Sequence, residues 1–471
     1  MKKNFIYQSI YQVLIVLIPF ITTPFVSRVL GPEGIGTYSY TYSIVSYFVM
    51  FAKMGIGVYG NREVASVRND KTLLSKTFWN IYAVHILFSL LSIGLYLGVV
   101  INTSDNQLVV LIQGIYILSQ LLDINWFYFG IEKFRLTVIR NTIIKFVTLI
   151  CIFVFIKSNQ DTWKYVLILA GGSLLGESAV WIFNKNYIHF VKPTWIEMKK
   201  HVKPMVYLFL PSVAISIYTM MDKVLINYFS GTVQVGYYEN AEKIVCVGRT
   251  LVVAMGTVSL PYFTDLFSNA QIKKAEIMSK KSVQFMMWIS SALVFGLSGV
   301  ADVFVPLYLG EEFQISVHIV EGLVICIPFW AIADIIRNQY ILPMHKDNVY
   351  VMAFLLAAVI NLFCNIVLIP KYKAMGAVVG TVAAEATVCI VLIIAAKKMI
   401  SPWYYFNTSV GFVFLGVVMH LIIRKIGVHR ESEMLTLVIQ IVVGAGVYLI
   451  GTMPYYWKFL KKLIVKIKKV T

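Results

Sequence analysis

The chain has 471 residues, of which 59% are hydrophobic and 14% charged, where an ordinary soluble domain has ~45–50% and ~25%. A soluble fold cannot bury that much apolar surface, and the apolar residues fall in blocks of about 20, the length that crosses ~30 Å of hydrocarbon. The composition therefore specifies an all-α polytopic membrane protein, so the formal charge of +18 has to be read from where its cations lie before nucleic acid is considered as a partner.

Lys2 and Lys3 precede an apolar run that is too long for a signal peptide and has no small-x-small cleavage site, so this run is the first span. Polar and Gly/Pro breaks then give about fourteen transmembrane helices: 10–30, 35–56, 78–101, 108–130, 141–156, 164–183, 204–229, 237–260, 283–309, 315–342, 349–370, 376–396, 404–423 and 435–453. With the N-terminus in the cytoplasm, the inside segments hold roughly two thirds of the 41 Lys and Arg, the asymmetry that places both termini in the cytoplasm. Juxtamembrane cations of this kind face anionic lipids, which accounts for the charge without nucleic acid. The tail Lys458, Lys461, Lys462, Lys466, Lys468 and Lys469 reads as a lipid-surface amphipathic segment.

The connections are too short to hold a soluble catalytic or nucleotide-binding domain. No phosphate-binding loop, H-E-x-x-H or G-x-S-x-G is present. The expectation is a transporter, not an enzyme, without a cofactor. Cys151, Cys246, Cys326, Cys364 and Cys389 lie in apolar stretches and read as small buried hydrophobes.

The chain repeats internally. At an offset of 200, Gly31, Gly36, Tyr38, Ile44 and Val45 align with Gly231, Gly236, Tyr238, Ile244 and Val245, each set across the outer turn of a helix hairpin. At an offset of 208, Gly172, Glu177 and Val180 align with Gly380, Glu385 and Val388 in the sixth and twelfth spans. The implied unit is six spans, present twice in one orientation, which predicts lobes at 1–190 and 191–400 about an axis along the membrane normal. Residues 401–471 hold two further spans and the basic tail.

Ionisable groups within the spans are functional candidates by default. Glu239 with Lys243, and Asp334 with Arg337, are spaced to neutralise one another on their own helices. Arg28, Lys53 and Arg249 have no acidic residue within four positions, so each needs a distant partner, a water-filled cavity or an anionic substrate. Arg249 lies roughly 18 Å into the eighth span at 1.5 Å per residue, too deep to snorkel easily. Lys145 lies near the cytoplasmic edge and reads as a snorkeler. The acids without a neutralising neighbour are Asp123, Glu177, Asp222 and Glu385. Glu177 and Glu385 follow small-residue stripes that allow close helix approach; they either bond a neighbouring helix or couple transport to H⁺ or Na⁺.

The stretch Ser27-Arg28-Val29-Leu30-Gly31-Pro32-Glu33-Gly34-Ile35-Gly36-Thr37-Tyr38-Ser39 resembles the R-x-L-G-P-E-G-x-G-x-Y-S signature of the bacterial polysaccharide-unit flippases, within the multidrug/oligosaccharidyl-lipid/polysaccharide exporter superfamily. The segment from Val235 to Ile244 is similar to that family's G-Y-Y-x-x-A-x-K-I motif, and the one from Gly376 to Glu385 to its G-A-x-x-G-T-x-x-x-E stretch. The resemblance implies two six-helix lobes facing a central cavity. It also implies a cargo of oligosaccharide on undecaprenyl pyrophosphate, flipped across the cytoplasmic membrane for O-antigen, capsule or exopolysaccharide assembly. Polysaccharide polymerase and chain-length proteins are then expected partners.

Cations in a cavity suit a pyrophosphate, which makes Arg249, Arg28 and Lys53 the substrate-binding candidates. Glu177, Glu385, Asp222 and Asp123 are the coupling candidates. A cation-exporting antiporter of the same fold calls for acid in its first spans, and the first here has none and carries Arg28. A peptidoglycan-precursor flippase shares the cationic cavity and differs mainly in the signature. A membrane glycosyltransferase or polymerase calls for paired carboxylates in a sizeable loop, which the sequence lacks.

Overall fold

A computed structural model describes residues 2–102, 106–427 and 432–467; Lys468 and Lys469 of the basic tail lie outside them. The described residues are almost entirely helical, without strands. In chain order the helices are α1 (Lys2–Lys53), α2 (Ile56–Val67), α3 (Lys71–Asn102), α4 (Gln107–Gln113), α5 (Ile115–Leu121), α6 (Asn125–Gly130), α7 (Phe134–Phe155) and α8 (Thr162–Val180). They continue as α9 (Trp195–Ser230), α10 (Thr232–Ser268), α11 (Ile272–Leu309), α12 (Ile315–Leu323), α13 (Cys326–Ile336), α14 (Asp347–Tyr372), α15 (Ala374–Ala395), α16 (Pro402–Gly427) and α17 (Glu433–Ile467).

The first two expected spans lie in α1, broken at Gly31, whose φ of 65° belongs to the left-handed region that glycine enters without a steric penalty. Spans seven and eight lie in α9 and α10, separated at Gly231 with φ 85°. Eleven stretches among the described residues are long and apolar enough to cross a membrane, Leu17–Val67 being counted as one of them. The protein is an all-α, multi-pass membrane protein.

Three expected elements differ in detail. The fourth span is three short helices, α4 to α6, interrupted at Gly114 and again around Asp123. The tenth span is likewise divided, into α12 and α13, and ends in a π-helical turn, Arg337–Ile341. Spans four and ten would occupy corresponding places in the expected six-span repeat, and interrupted helices are a mark of transporter binding regions. The fifth span begins at Phe134 rather than at 141, so Arg140, placed by the sequence reading in a cytoplasmic loop, is inside a helix. Seven residues of mixed polarity before the apolar run hid that start.

The chain divides into two compact units, Met1–Glu239 and Asn240–Thr471, and the division falls within the single helix α10. In the first unit, Phe78 of α3 stacks on Trp126 of α6, with centroids 5.4 Å apart, within a cluster that includes Ile81, Val84, Phe127 and Tyr128. In the second, α16 and α17 pack on α11 through Val300, Met419, Ile423, Leu437 and Tyr448. The Tyr448 hydroxyl donates to the Trp288 carbonyl at 2.7 Å, and Trp288 Nε1 donates to Thr452 Oγ1 at 3.1 Å. Arg424 of α16 also pairs with Asp302 of α11 and Glu321 of α12. The last two spans are thereby tied to the second unit by polar contacts as well as apolar ones.

Candidate functional site

In the first unit the break in the fourth span places Asp123 at the start of α6, where its Oδ1 accepts the Asn125 amide at 2.9 Å and Asn125 Nδ2 at 2.7 Å. Lys53, at the end of α1, lies 3.7 Å from Asp123 Oδ2. Asn125 Nδ2 also donates to Glu177 Oε2 of α8 at 2.9 Å. The same oxygen accepts Arg140 Nη1 at 2.9 Å, and Arg140 further donates to the Gly176 carbonyl, Asn125 Oδ1 and Asn141 Oδ1. Lys53, Asp123, Asn125, Glu177 and Arg140 thus form one chain of charge. Arg140 is only 9% exposed, which its saturated guanidinium makes tolerable.

The sequence reading selected Lys53, Asp123 and Glu177 but missed Arg140 and Asn125. Their partners lie 37 and 52 residues away, beyond any helical spacing rule. His85 of α3, fully buried and with neither ring nitrogen hydrogen-bonded, faces the electrostatic field of Asp123 and Lys53.

A second constellation lies in the second unit. The Arg249 guanidinium is 4.8 Å from the centroid of the Trp330 ring of α13, a cation–π geometry. Both Arg249 and Arg337 bear electrostatically on the buried Asp334, and Asn338 Nδ2 donates to Asp334 Oδ1 at 2.9 Å. The other oxygen, Oδ2, is buried without a hydrogen-bond partner. Arg337 lies over the Tyr350 ring of α14 at 4.8 Å, so the Asp334/Arg337 spacing read as local neutralisation belongs to a wider cluster. Tyr350 is within the field of Glu385 of α15, which is buried.

The two constellations correspond in part. A cation on the second or eighth span (Lys53, Arg249) acts on an aspartate on the interrupted fourth or tenth (Asp123, Asp334); Glu177 on the sixth span binds Arg140 of the fifth, whereas Glu385 on the twelfth and Arg337 both act on Tyr350.

The repeated glycine motif forms a third feature. A Cβ on Gly36 would lie 1.8 Å from the Thr232 carbonyl oxygen, and one on Gly236 would lie 1.9 Å from that of Pro32. The two hairpin turns therefore meet backbone to backbone. Beside them Ser39 Oγ donates to Glu239 Oε2 at 2.6 Å, and Lys223 Nζ of α9 lies 2.5 Å from the same oxygen. The i,i+4 spacing points to Lys243 as a partner of Glu239; the hairpin also brings up Lys223, sixteen positions away. Asp222 is buried and accepts the Tyr238 hydroxyl at 3.1 Å, so it sits beside the second hairpin turn. Arg28 is exposed, three residues before the Gly31 break.

With this geometry in hand, comparison with known proteins is decisive. The description of the family "Polysaccharide biosynthesis protein" matches residues 1–267, more than half of the chain. The chain belongs to this family. It is 22% identical over 404 residues to a Shigella dysenteriae protein named "Putative O-antigen transporter", covering 84% of this chain and 100% of that one. It is 21% identical over 384 residues to the capsular polysaccharide biosynthesis protein CapF of Staphylococcus aureus, covering 80% of this chain and 94% of that one. Among solved structures, the lipid II flippase MurJ in an inward closed conformation superposes with a TM-score of 0.73 at 15% identity, over 97% of this chain and 100% of that one. An inward-facing MATE transporter of the MOP superfamily gives 0.61 at 13% identity, over 86% of this chain and 98% of that one. At these identities the two structures establish the fold that the family shares.

Proposed function

We propose that this protein is a flippase that moves oligosaccharide repeat units linked to undecaprenyl pyrophosphate across the bacterial cytoplasmic membrane, for assembly of O-antigen, capsule or exopolysaccharide. It is a transporter, not an enzyme. Membership of the polysaccharide biosynthesis family carries the reading, and the doubled cation–carboxylate constellation supports it.

In this reading both termini are cytoplasmic and the six-span lobes are 1–190 and 191–400, with 401–471 appended. Arg249, Arg28 and Lys53 receive the pyrophosphate, whose charge the bilayer otherwise rejects. Glu177, Glu385 and Asp123 couple the cycle to H⁺, Na⁺ or membrane potential. The hairpin contact at Gly36 and Gly236, with Ser39, Glu239 and Lys223, is the outer gate, and Asp222 supports it. A polymerase and chain-length proteins take the product onward.

The test is deletion of the gene in its native host, followed by complementation. Loss of surface polymer with lipid-linked repeat units accumulating on the inner leaflet, both reversed by the wild-type gene, is the expected result. Normal polymer in the deletion strain, together with new sensitivity to cationic drugs, would replace the flippase by a cation antiporter.

A further inference from the structure

Two adjoining cavities on the flank of α7 and α8 form an amphiphile-shaped site that meets the first charged constellation only at Arg140. The first is an apolar groove of about 830 Å³, within the ~300–1,000 Å³ range of small-molecule sites, lined by Ile139, Ile143 and Ile144 of α7 and by Ala179, Ile182 and Phe183 at the end of α8. It opens for a local reason. Gly172 and Gly176 allow α8 to lie close against Thr148 and Ile144 of α7, and beyond them α8 gives way to a 3-10 turn at Trp181–Asn186, which carries Ile182 and Phe183.

The groove opens to the membrane. Ile143 is 56% and Ile182 74% exposed, and α7 has the smallest buried share of the candidate spans.

The second cavity, of about 400 Å³, is polar and lined by Arg68, Asn69, Lys71, Lys133 and Asn186 among others. It shares Glu132, Lys133 and Tyr187 with the apolar groove. Arg135 lines the groove near the same mouth. Of the charges around this junction, Glu132 is paired with Arg68, which leaves Lys71, Lys133 and Arg135 as a net cationic rim.

We propose that this junction binds an anionic phospholipid of the cytoplasmic leaflet, with the phosphate headgroup at the Lys71/Lys133/Arg135 rim and an acyl chain along Ile139, Ile143, Ile182 and Phe183. The cytoplasmic placement rests on the orientation given under Proposed function. Charge complementarity decides the headgroup, since basic pockets between helices on the cytoplasmic side select anionic lipid. Arg140 also lines the groove, and its donors are all taken by Asn125, Asn141, Gly176 and Glu177. It therefore forms a wall of the site without binding the headgroup. A lipid seated there would hold α7 and α8 together behind the Arg140–Glu177 bridge, linking membrane composition to the coupling region.

The test is native mass spectrometry of the purified full-length protein with equimolar phosphatidylglycerol and phosphatidylcholine. The wild type should retain phosphatidylglycerol over phosphatidylcholine by threefold or more. Lys133→Gln with Arg135→Gln should bring the ratio close to one, whereas the control Lys199→Gln with Lys200→Gln should leave it unchanged. Ala179→Phe, which fills the groove, should lower retention of both lipids, and Ile143→Trp serves the same purpose if that variant is not recovered folded. Equal retention of the two lipids by the wild type, or an unchanged ratio in the Lys133/Arg135 variant, overturns the proposal. Displacement of phosphatidylglycerol by equimolar undecaprenyl phosphate also overturns it, by making the groove a cargo site. No polysaccharide is measured, so this proposal and the flippase reading can fail independently.

Discussion

Ser39 donates a 2.6 Å hydrogen bond to Glu239, its repeat mate 200 positions later. Both residues are buried, and the Lys223 ammonium on the same carboxylate oxygen makes the contact charge-assisted, about twice as strong as a neutral one. A contact joining the same position of two repeat copies is suited to open and close as the copies move.

If this contact is the outer gate, tethering it should stop the cycle. Ser39→Cys with Glu239→Cys, in a background with the five native cysteines replaced, should form a disulfide under mild oxidation. Polymer export should fall to near zero and return with reductant. Full export from fully cross-linked protein would show that the hairpins do not separate during transport.

The glycines beside this contact are predicted to act through folding. Gly36→Val would press a side chain into the Thr232 carbonyl, and Gly236→Val would press one into that of Pro32. Backbone atoms on the facing turn cannot swing aside as a side chain could, so the cost is on the order of several kcal/mol. Membrane abundance of both variants, read by immunoblot, should drop severalfold. Normal abundance with failed export would instead assign these glycines to motion.

Arg140 and Glu177 should behave as an energetically coupled pair. Arg140→Ala strands the Glu177 carboxylate, and removing one partner of a buried ion pair costs ~3–5 kcal/mol. Adding Glu177→Gln to Arg140→Ala removes the stranded charge and should recover much of the lost thermal stability of purified protein. Losses that simply add would show that the pair does not interact energetically.

What the sequence revealed and what it hid follow one physical division. Spans were legible because each apolar block has to satisfy the hydrocarbon by itself, and the Gly31/Gly231 and Gly36/Gly236 pairs were legible because a repeated steric demand leaves a repeated glycine. Interhelical pairing was not legible. Helical spacing pointed to Lys243 for Glu239 and Arg337 for Asp334 but held no sign of Lys223 on Glu239 or of Tyr350 under Arg337, which the fold supplies. Arg140 was lost for a different reason: it sits between a turn and an apolar run, where only the true helix start at Phe134 distinguishes a loop cation from a buried one.

Arg249 is predicted to be needed for transport and dispensable for folding. Its planar guanidinium stacks on Trp330 and carries a fork of donors that matches two oxygens of a phosphate, a geometry that lysine does not reproduce. Arg249→Glu should abolish export at near-normal membrane abundance, and Arg249→Lys should retain only a small part of it. Wild-type polymer yield from stably expressed Arg249→Glu would remove Arg249 from the cargo path.

The remaining prediction concerns what drives the cycle. A transporter that releases its anion outside and returns empty needs a second ligand with different affinity for its two states, because a ligand shifts a conformational equilibrium only by its differential affinity. Glu177 can supply this. While ionised it holds Arg140 and Asn125 at 2.9 Å; protonation or a competing Na⁺ would weaken that grip and free α7 relative to α8. In the second unit Glu385 and Asp334 are both buried, and Asp334 Oδ2 has no hydrogen-bond partner. Coupling of 1–3 kcal/mol corresponds to ~5–150-fold, so an imposed H⁺ or Na⁺ gradient should speed the appearance of lipid-linked oligosaccharide in the outer leaflet of proteoliposomes about fivefold or more. Glu177→Gln and Glu385→Gln should each blunt that response, and the double variant should remove it, with Asp123→Asn as a third arm. Transport indifferent to every gradient in the wild type would leave passive equilibration, drawn forward by polymerisation outside, as the driving force, with these acids serving as helix contacts alone.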